Sequence, residues 1–90
     1  MQFEWDAAKA AKNLRKHRVS FGEASSVFYD SLAVTGSDPD HSEAGERLVT
    51  FGLSSEDRLL VVSHTARGEA IRIICARLAT QSERRIYKEG

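Results

Sequence analysis

The chain has one cysteine, Cys75, and one proline, Pro39, in 90 residues. A single cysteine excludes an intrachain disulfide, and a reducing, cytoplasmic setting is expected. The longest apolar run, such as "LLVV" at 59–62, is four residues, far short of the roughly 20 that span a bilayer as a helix. The opening "MQFEWD" has no apolar stretch of the signal-peptide kind, so no secretion signal is expected. Phosphate-binding glycine loops, nucleophile elbows and dinucleotide fingerprints do not occur. There are no repeats, low-complexity segments or linkers. With 41% hydrophobic and 29% charged residues, the composition predicts one globular domain over residues 1–90.

Net charge is absent too, with 13 basic and 13 acidic side chains, but the signs are segregated. Residues 7–18 hold Lys9, Lys12, Arg15, Lys16 and Arg18 and no acid. Residues 19–46 hold Glu23, Asp30, Asp38, Asp40, Glu43 and Glu46 and no base. Two readings follow: a basic face for an anionic partner, or acidic loops lying against the basic helix.

Periodicity gives the elements. "QFEW" reads as a short strand, and Asp6 as the N-cap of a helix of about twelve residues. Ala7, Ala10, Ala11 and Leu14 form that helix's thin apolar stripe, with Lys9, Lys12, Asn13 and Lys16 on another side. "SFGE", Ser20 to Glu23, is a capping box that opens a second helix ending near Asp30. Strands are expected at "LAVT", "RLVTFGL", "RLLVVSHT" and "AIRIICAR", the third being central because it is apolar on both faces. Gly68 supplies the turn in "ARGE". A second capping box, Thr80 to Glu83, opens the last helix. The order β-α-α-β-β-β-β-α predicts an α+β fold, with two N-terminal helices and a C-terminal helix on a small antiparallel sheet.

Strict alternation in "AIRIICAR" sets Ile71, Ile73, Cys75 and Arg77 on one face and Arg72, Ile74 and Ala76 on the other. An arginine among apolar residues needs either an acid such as Glu46 or Asp57, or an anion. Depending on the turn, His64 opposes Ile71, on the face of Arg77, or opposes Arg72. Either register sets it beside a guanidinium, which disfavours its protonated form and suits a general base. The structural alternative is an ordinary strand histidine. Tyr87 is either a half-buried anchor or a phosphate contact. Asp38, Asp40, His41 and Glu43 match no calcium or zinc spacing, so no metal is expected. Cys75 reads as a small core residue. No cofactor is expected.

Taken together, "FEWDAAKAAKNLRKHRVSFGEA", "DPDHSEAGERLVTFGLS", "LLVVSHT" and "IRIICARLATQSERRIYKEG" closely resemble the BrnT-type toxins of prokaryotic toxin–antitoxin systems. The resemblance covers essentially the whole chain. It implies a small endoribonuclease with a RelE-like fold that cleaves RNA without metal and inhibits translation. It also implies a BrnA-type antitoxin with a ribbon-helix-helix part, through which the complex binds DNA. The opening pattern matches at Trp5, Asp6, Lys9, Asn13, Lys16, His17 and Phe21. The central and closing patterns match at Glu46, Arg47, His64, Arg72, Arg77, Glu83, Arg84 and Tyr87. One departure is Arg18, where the family has a glycine that serves as a left-handed cap.

On this reading His64 is the base or acid, and Arg72 and Arg77 stabilise the crowded phosphate. Glu46 and Tyr87 complete the catalytic candidates. Lys9, Lys12, Lys16, Arg47 and Arg84 hold the RNA backbone. The competing class is a non-catalytic RNA- or protein-binding module, which would bind RNA in a salt-sensitive way and yield no cleavage products.

Overall fold

The computed structural model describes residues 1–38 and 47–89. The chain runs β1 (Gln2–Glu4), α1 (Ala7–His17), α2 (Phe21–Ser26), a 3-10 turn (Val27–Tyr29), β2 (Val34–Ser37), β3 (Arg47–Leu53), β4 (Leu59–Arg67), β5 (Ala70–Leu78) and α3 (Gln81–Glu89). The five strands form one sheet in the order β1-β5-β4-β3-β2. The expected element order is therefore present, and β4 is central. The sheet is mixed, however, because β1 pairs parallel with β5. The first strand reaches the far edge through the whole α1–α2 segment, so nothing forces it to run antiparallel.

The caps explain the helix limits. Asp6 accepts from the N–H groups of Ala8 and Lys9 and starts α1. Arg18 ends it in the left-handed region, at φ 59°, with its N–H bonded to the carbonyl of Leu14. The expected glycine conformation is thus kept by a non-glycine residue, at a cost of about 1 kcal/mol. The Arg18 carbonyl accepts from Arg58 Nη2 at 2.9 Å, which helps to hold it. At α2 only half the capping box forms. Ser20 Oγ accepts from Glu23 N–H, but the Glu23 carboxylate turns to Arg58 and Ser54 instead. At α3 both halves form between Thr80 and Glu83.

One sheet face carries the core. Val19, Phe21, Ala24 and Val27 pack onto Leu60, Val62, Ile73 and Ala76, with Phe3, Ala10 and Phe28 around them. The buried stripe of α1 differs from the expectation. Leu14 is 48% exposed whereas Asn13 is 7%, so Ala10, Asn13 and His17 face inward. Asn13 explains this. Its amide donates to the carbonyls of Ala76 and Val19, and its Oδ1 accepts from Ala76 N–H. Since β1 covers only Ala70–Arg72 of β5, the rest of that edge is open, and Asn13 takes the place of a strand there.

Candidate nucleic-acid interface

The site begins with an irregularity in β5. The pairing of β4 with β5 shifts between Ser63 and His64, so that Ser63 faces Cys75 while His64 faces Ile73. Ile74 is the extra residue of a β-bulge, which resets the alternation. Arg72 pairs across to Thr65, and Thr65 to Arg47; directly paired residues share a face. Cys75 and Arg77 border the same cleft as Arg47, Val49 and Phe51. Arg72, Cys75 and Arg77 therefore stand together on the face opposite the core. The expectation that Arg72 and Arg77 lie on different faces is corrected by this single inserted residue.

His64 is not in that company: the turn that pairs Arg67 with Ala70 sets it opposite Ile73, and the bulge moves Arg77 to the other face. Neither expected register occurs. His64 is 5% exposed, shares Nε2 with Thr50 Oγ1 at 2.7 Å, and meets the edge of Phe28. No guanidinium flanks it among the described residues. Burial among these neighbours lowers its pKa to about 4, so it is neutral near pH 7. It belongs to the core, on the face away from the arginines.

The open face has three tiers. Glu4, Arg72, Thr65 and Arg47 form a row across four strands. Arg72 donates to Glu4 at 2.9 Å, with Arg67 at 3.9 Å from the same oxygen. Among the described residues the acid that balances Arg72 is thus Glu4, not Asp57. Arg47 has a buried Nε with no partner among the described residues. The middle tier is apolar, built from Val49, Phe51 and Val61, with Ser63 and Cys75 beside them, and it floors a cleft of about 570 Å³. Cys75 is half-buried beside this cleft, so it lines the open face instead of filling the core.

Arg77 and α3 make the third tier. Arg77 grips Glu83 through two hydrogen bonds of 2.7 and 2.8 Å. This guanidinium, aided by the Thr80 N–H, pulls the Glu83 pKa down to about 2. A second polar anchor of α3 is Tyr87, whose hydroxyl donates to Asp30 at 2.7 Å. Burial pushes Asp30 up, but its bonds from Leu53 N–H, Leu32 N–H and Tyr87 outweigh this and hold its pKa below the usual value. The same bond raises the Tyr87 pKa. Tyr87 is therefore an anchor of α3 and does not face the arginines.

The basic helix borders this face. Lys9, Lys12, Lys16 and His17 line a groove with Ile74 and Cys75, and Cys75 also lines the central cleft. Among the described residues no ion pair involves these lysines. Arg84 is exposed on α3. Glu46, Asp40, His41 and Glu43 lie outside the described residues. Sequence reasoning missed Glu4, Ser63 and Thr65. Cross-strand register brings them to the site, and nothing local in their segments signals it.

These features define a small α+β protein with an arginine-bordered, apolar-floored sheet face and a basic helix at its edge. Residues 5–83 match the family of ribonuclease toxins, BrnT, of type II toxin–antitoxin systems, and the chain belongs to that family. Its structure is similar to the crystal structure of the Brucella abortus ribonuclease toxin, BrnT, with a TM-score of 0.71 and 25% sequence identity, covering 90% of this chain and 99% of that one. No curated protein matches this chain. Membership implies a protein antitoxin as partner. No described helix is long and apolar enough to cross a membrane.

Proposed function

We propose that the protein is a metal-independent endoribonuclease that cuts RNA across the open sheet face and so inhibits translation. The observation that carries this reading is the bulge at Ile74, which brings Arg77 to the face of Arg72 and Arg47, around one cleft. Arg72 and Arg77 are separated by four cross-strand rows, roughly 13 Å at about 3.3 Å per residue. Each guanidinium is held at its own end by a different acid, Glu4 or Glu83, so in this reading they hold two phosphates of one strand. Phosphate oxygens replace Glu4 and Glu83 as their acceptors. Lys9, Lys12, Lys16 and Arg84 extend the track without reading sequence.

Cleavage needs a proton acceptor for the 2′-hydroxyl. Its oxygen then attacks phosphorus, the P–O5′ bond breaks, and a proton goes to O5′, leaving a 2′,3′-cyclic phosphate. No metal or co-reactant is required. His64 is a poor acceptor, because it is buried and away from the arginines. Glu83 is a poor one because its pKa is held at about 2. In this reading Glu46, next to Arg47 in sequence, takes the proton. A BrnA-type ribbon-helix-helix antitoxin blocks the same face and carries any DNA binding of the complex.

The test uses antitoxin-free protein and RNA in EDTA. Cleavage should persist with chelator, leave cyclic phosphate ends and fall sharply in Glu46→Gln. RNA binding without products would replace this reading with a non-catalytic module.

A further inference from the structure

We infer that the central cleft of the open face is a slot for one unpaired nucleobase, with the phosphates on either side of it held at its arginine borders. This rests on the ribonuclease reading and deepens it. The starting point is an apolar surface that the fold leaves unfinished. Val49 and Phe51 of β3 and Val61 of β4 floor the cleft, and Ile86 of α3 faces them across it. Yet Ile86 is 46% exposed, and α3 has no buried residue. The Arg77–Glu83 and Tyr87–Asp30 hydrogen bonds tether the helix. A layer meant only to complete a core would be seated on that floor.

The borders say what fills the gap. Arg47 stands on β3 at one end of the floor, and Arg77 on β5 at the other, diagonally across β4. Asp38 and Glu83 line the cleft beside these arginines, but the order of arginine, apolar floor and arginine still matches an RNA strand, in which a planar base lies between two phosphates. Arg47 lines the cleft, and its guanidinium carries donors suited to such a ligand. Ser63 at the floor's edge both donates and accepts, so it suits a base edge without fixing which base. A helix of a partner protein is about 10 Å wide with its side chains and would have to displace α3. A duplex offers no free base, because its bases are paired and stacked.

The experiment compares the full chain and its Ile86→Ala variant on a single-stranded oligoribonucleotide and on the same strand annealed to its complement. Ile86 is half-exposed, so the variant keeps the fold, and a melting curve checks this. The duplex should be cut about 100-fold more slowly, since a base must first be unpaired and unstacked. Ile86→Ala should raise KM for the single strand about tenfold, as expected when a base loses one stacking partner, with kcat little changed. Equal cleavage of both RNAs, or an unchanged KM in Ile86→Ala, overturns the slot while leaving the ribonuclease reading intact. If the wild-type chain cuts neither RNA, the ribonuclease reading itself fails. Binding anisotropy of the same two RNAs then decides the slot, which requires single-strand preference that weakens in Ile86→Ala.

Discussion

The two faces of this sheet use polar residues in opposite ways. The core face buries one titratable side chain, His64, gives it a neutral partner in Thr50, and lowers its pKa. The open face sets Arg72 and Arg77 each against a carboxylate, Glu4 or Glu83. A buried neutral imidazole fixes packing, whereas a half-exposed guanidinium with an exchangeable acceptor can be handed to an incoming phosphate. The same strand pair supplies both, and the turn and one bulge together decide which residue goes where. The difference teaches that charge useful to a ligand is the charge whose partner can be replaced.

The largest expected effect breaks the open face. Arg72→Ala and Arg77→Ala should each lower kcat/KM for RNA cleavage about 10²- to 10³-fold, with melting little changed in Arg72→Ala but lowered in Arg77→Ala, which takes the partner of Glu83 away from α3. Steady-state kinetics on one RNA checks this. If both variants stay active while a folded His64→Ala variant is dead, the roles assigned to the two faces are reversed.

The next effect concerns the core face and is a matter of stability. His64 titrates near 6.5 when unfolded and at about 4 when folded. Between those values the unfolded chain takes up a proton that the folded chain refuses, so stability is present above pH 6.5 and is lost as pH falls toward 4. The shift corresponds to a loss on the order of 3 kcal/mol. His64→Leu should abolish this component, so that urea midpoints at pH 7 and pH 4.5 lie closer together than in wild type. RNA cleavage at pH 7 should survive. A variant that retains the wild-type acid dependence would show that another group sets it.

A smaller effect tests the border between the faces. Replacing Lys9, Lys12 and Lys16 by Glu should weaken RNA binding and flatten its salt dependence. Each phosphate no longer neutralised takes about 0.7 off the log–log slope for a single strand. Titration at several salt concentrations measures it. Antitoxin affinity should fall in the same variant if the partner covers this helix. An unchanged salt slope would detach α1 from the RNA track.

Much of the fold is legible in the sequence, and the reasons are local. Asp6 and the Thr80–Glu83 box act over three or four residues, so their signals survive reading along the chain. β4 is recognisable as central because both its faces are apolar. The parallel pairing of β1 is not legible, because the direction of a partner strand 68 residues further on leaves no local mark. Nor is the bulge at Ile74. It replaces strict alternation in a segment whose residues would suit either phase, and it sets Cys75 and Arg77 on the face of Arg72, while the tight turn that pairs Arg67 with Ala70 places His64 opposite Ile73. Asn13 escapes a sequence reading for a related reason. An amide on a basic helix looks like surface, and its strand-edge partner, Ala76, is 63 residues away.

The smallest effect separates an anchor from a catalyst. Tyr87→Phe removes one of the hydrogen bonds to Asp30, while Leu32 N–H and Leu53 N–H still satisfy that carboxylate. The loss should be about 1 kcal/mol, read as a small fall in melting temperature. Because the ring stays and Arg77 still holds Glu83, α3 should keep its place over the cleft, and RNA cleavage should change less than about threefold. A fall of about 10² or more with unchanged stability would mean that the phenol acts on the RNA directly. It would also mean that Asp30 releases Tyr87 when substrate binds, so that α3 turns its hydroxyl toward the open face.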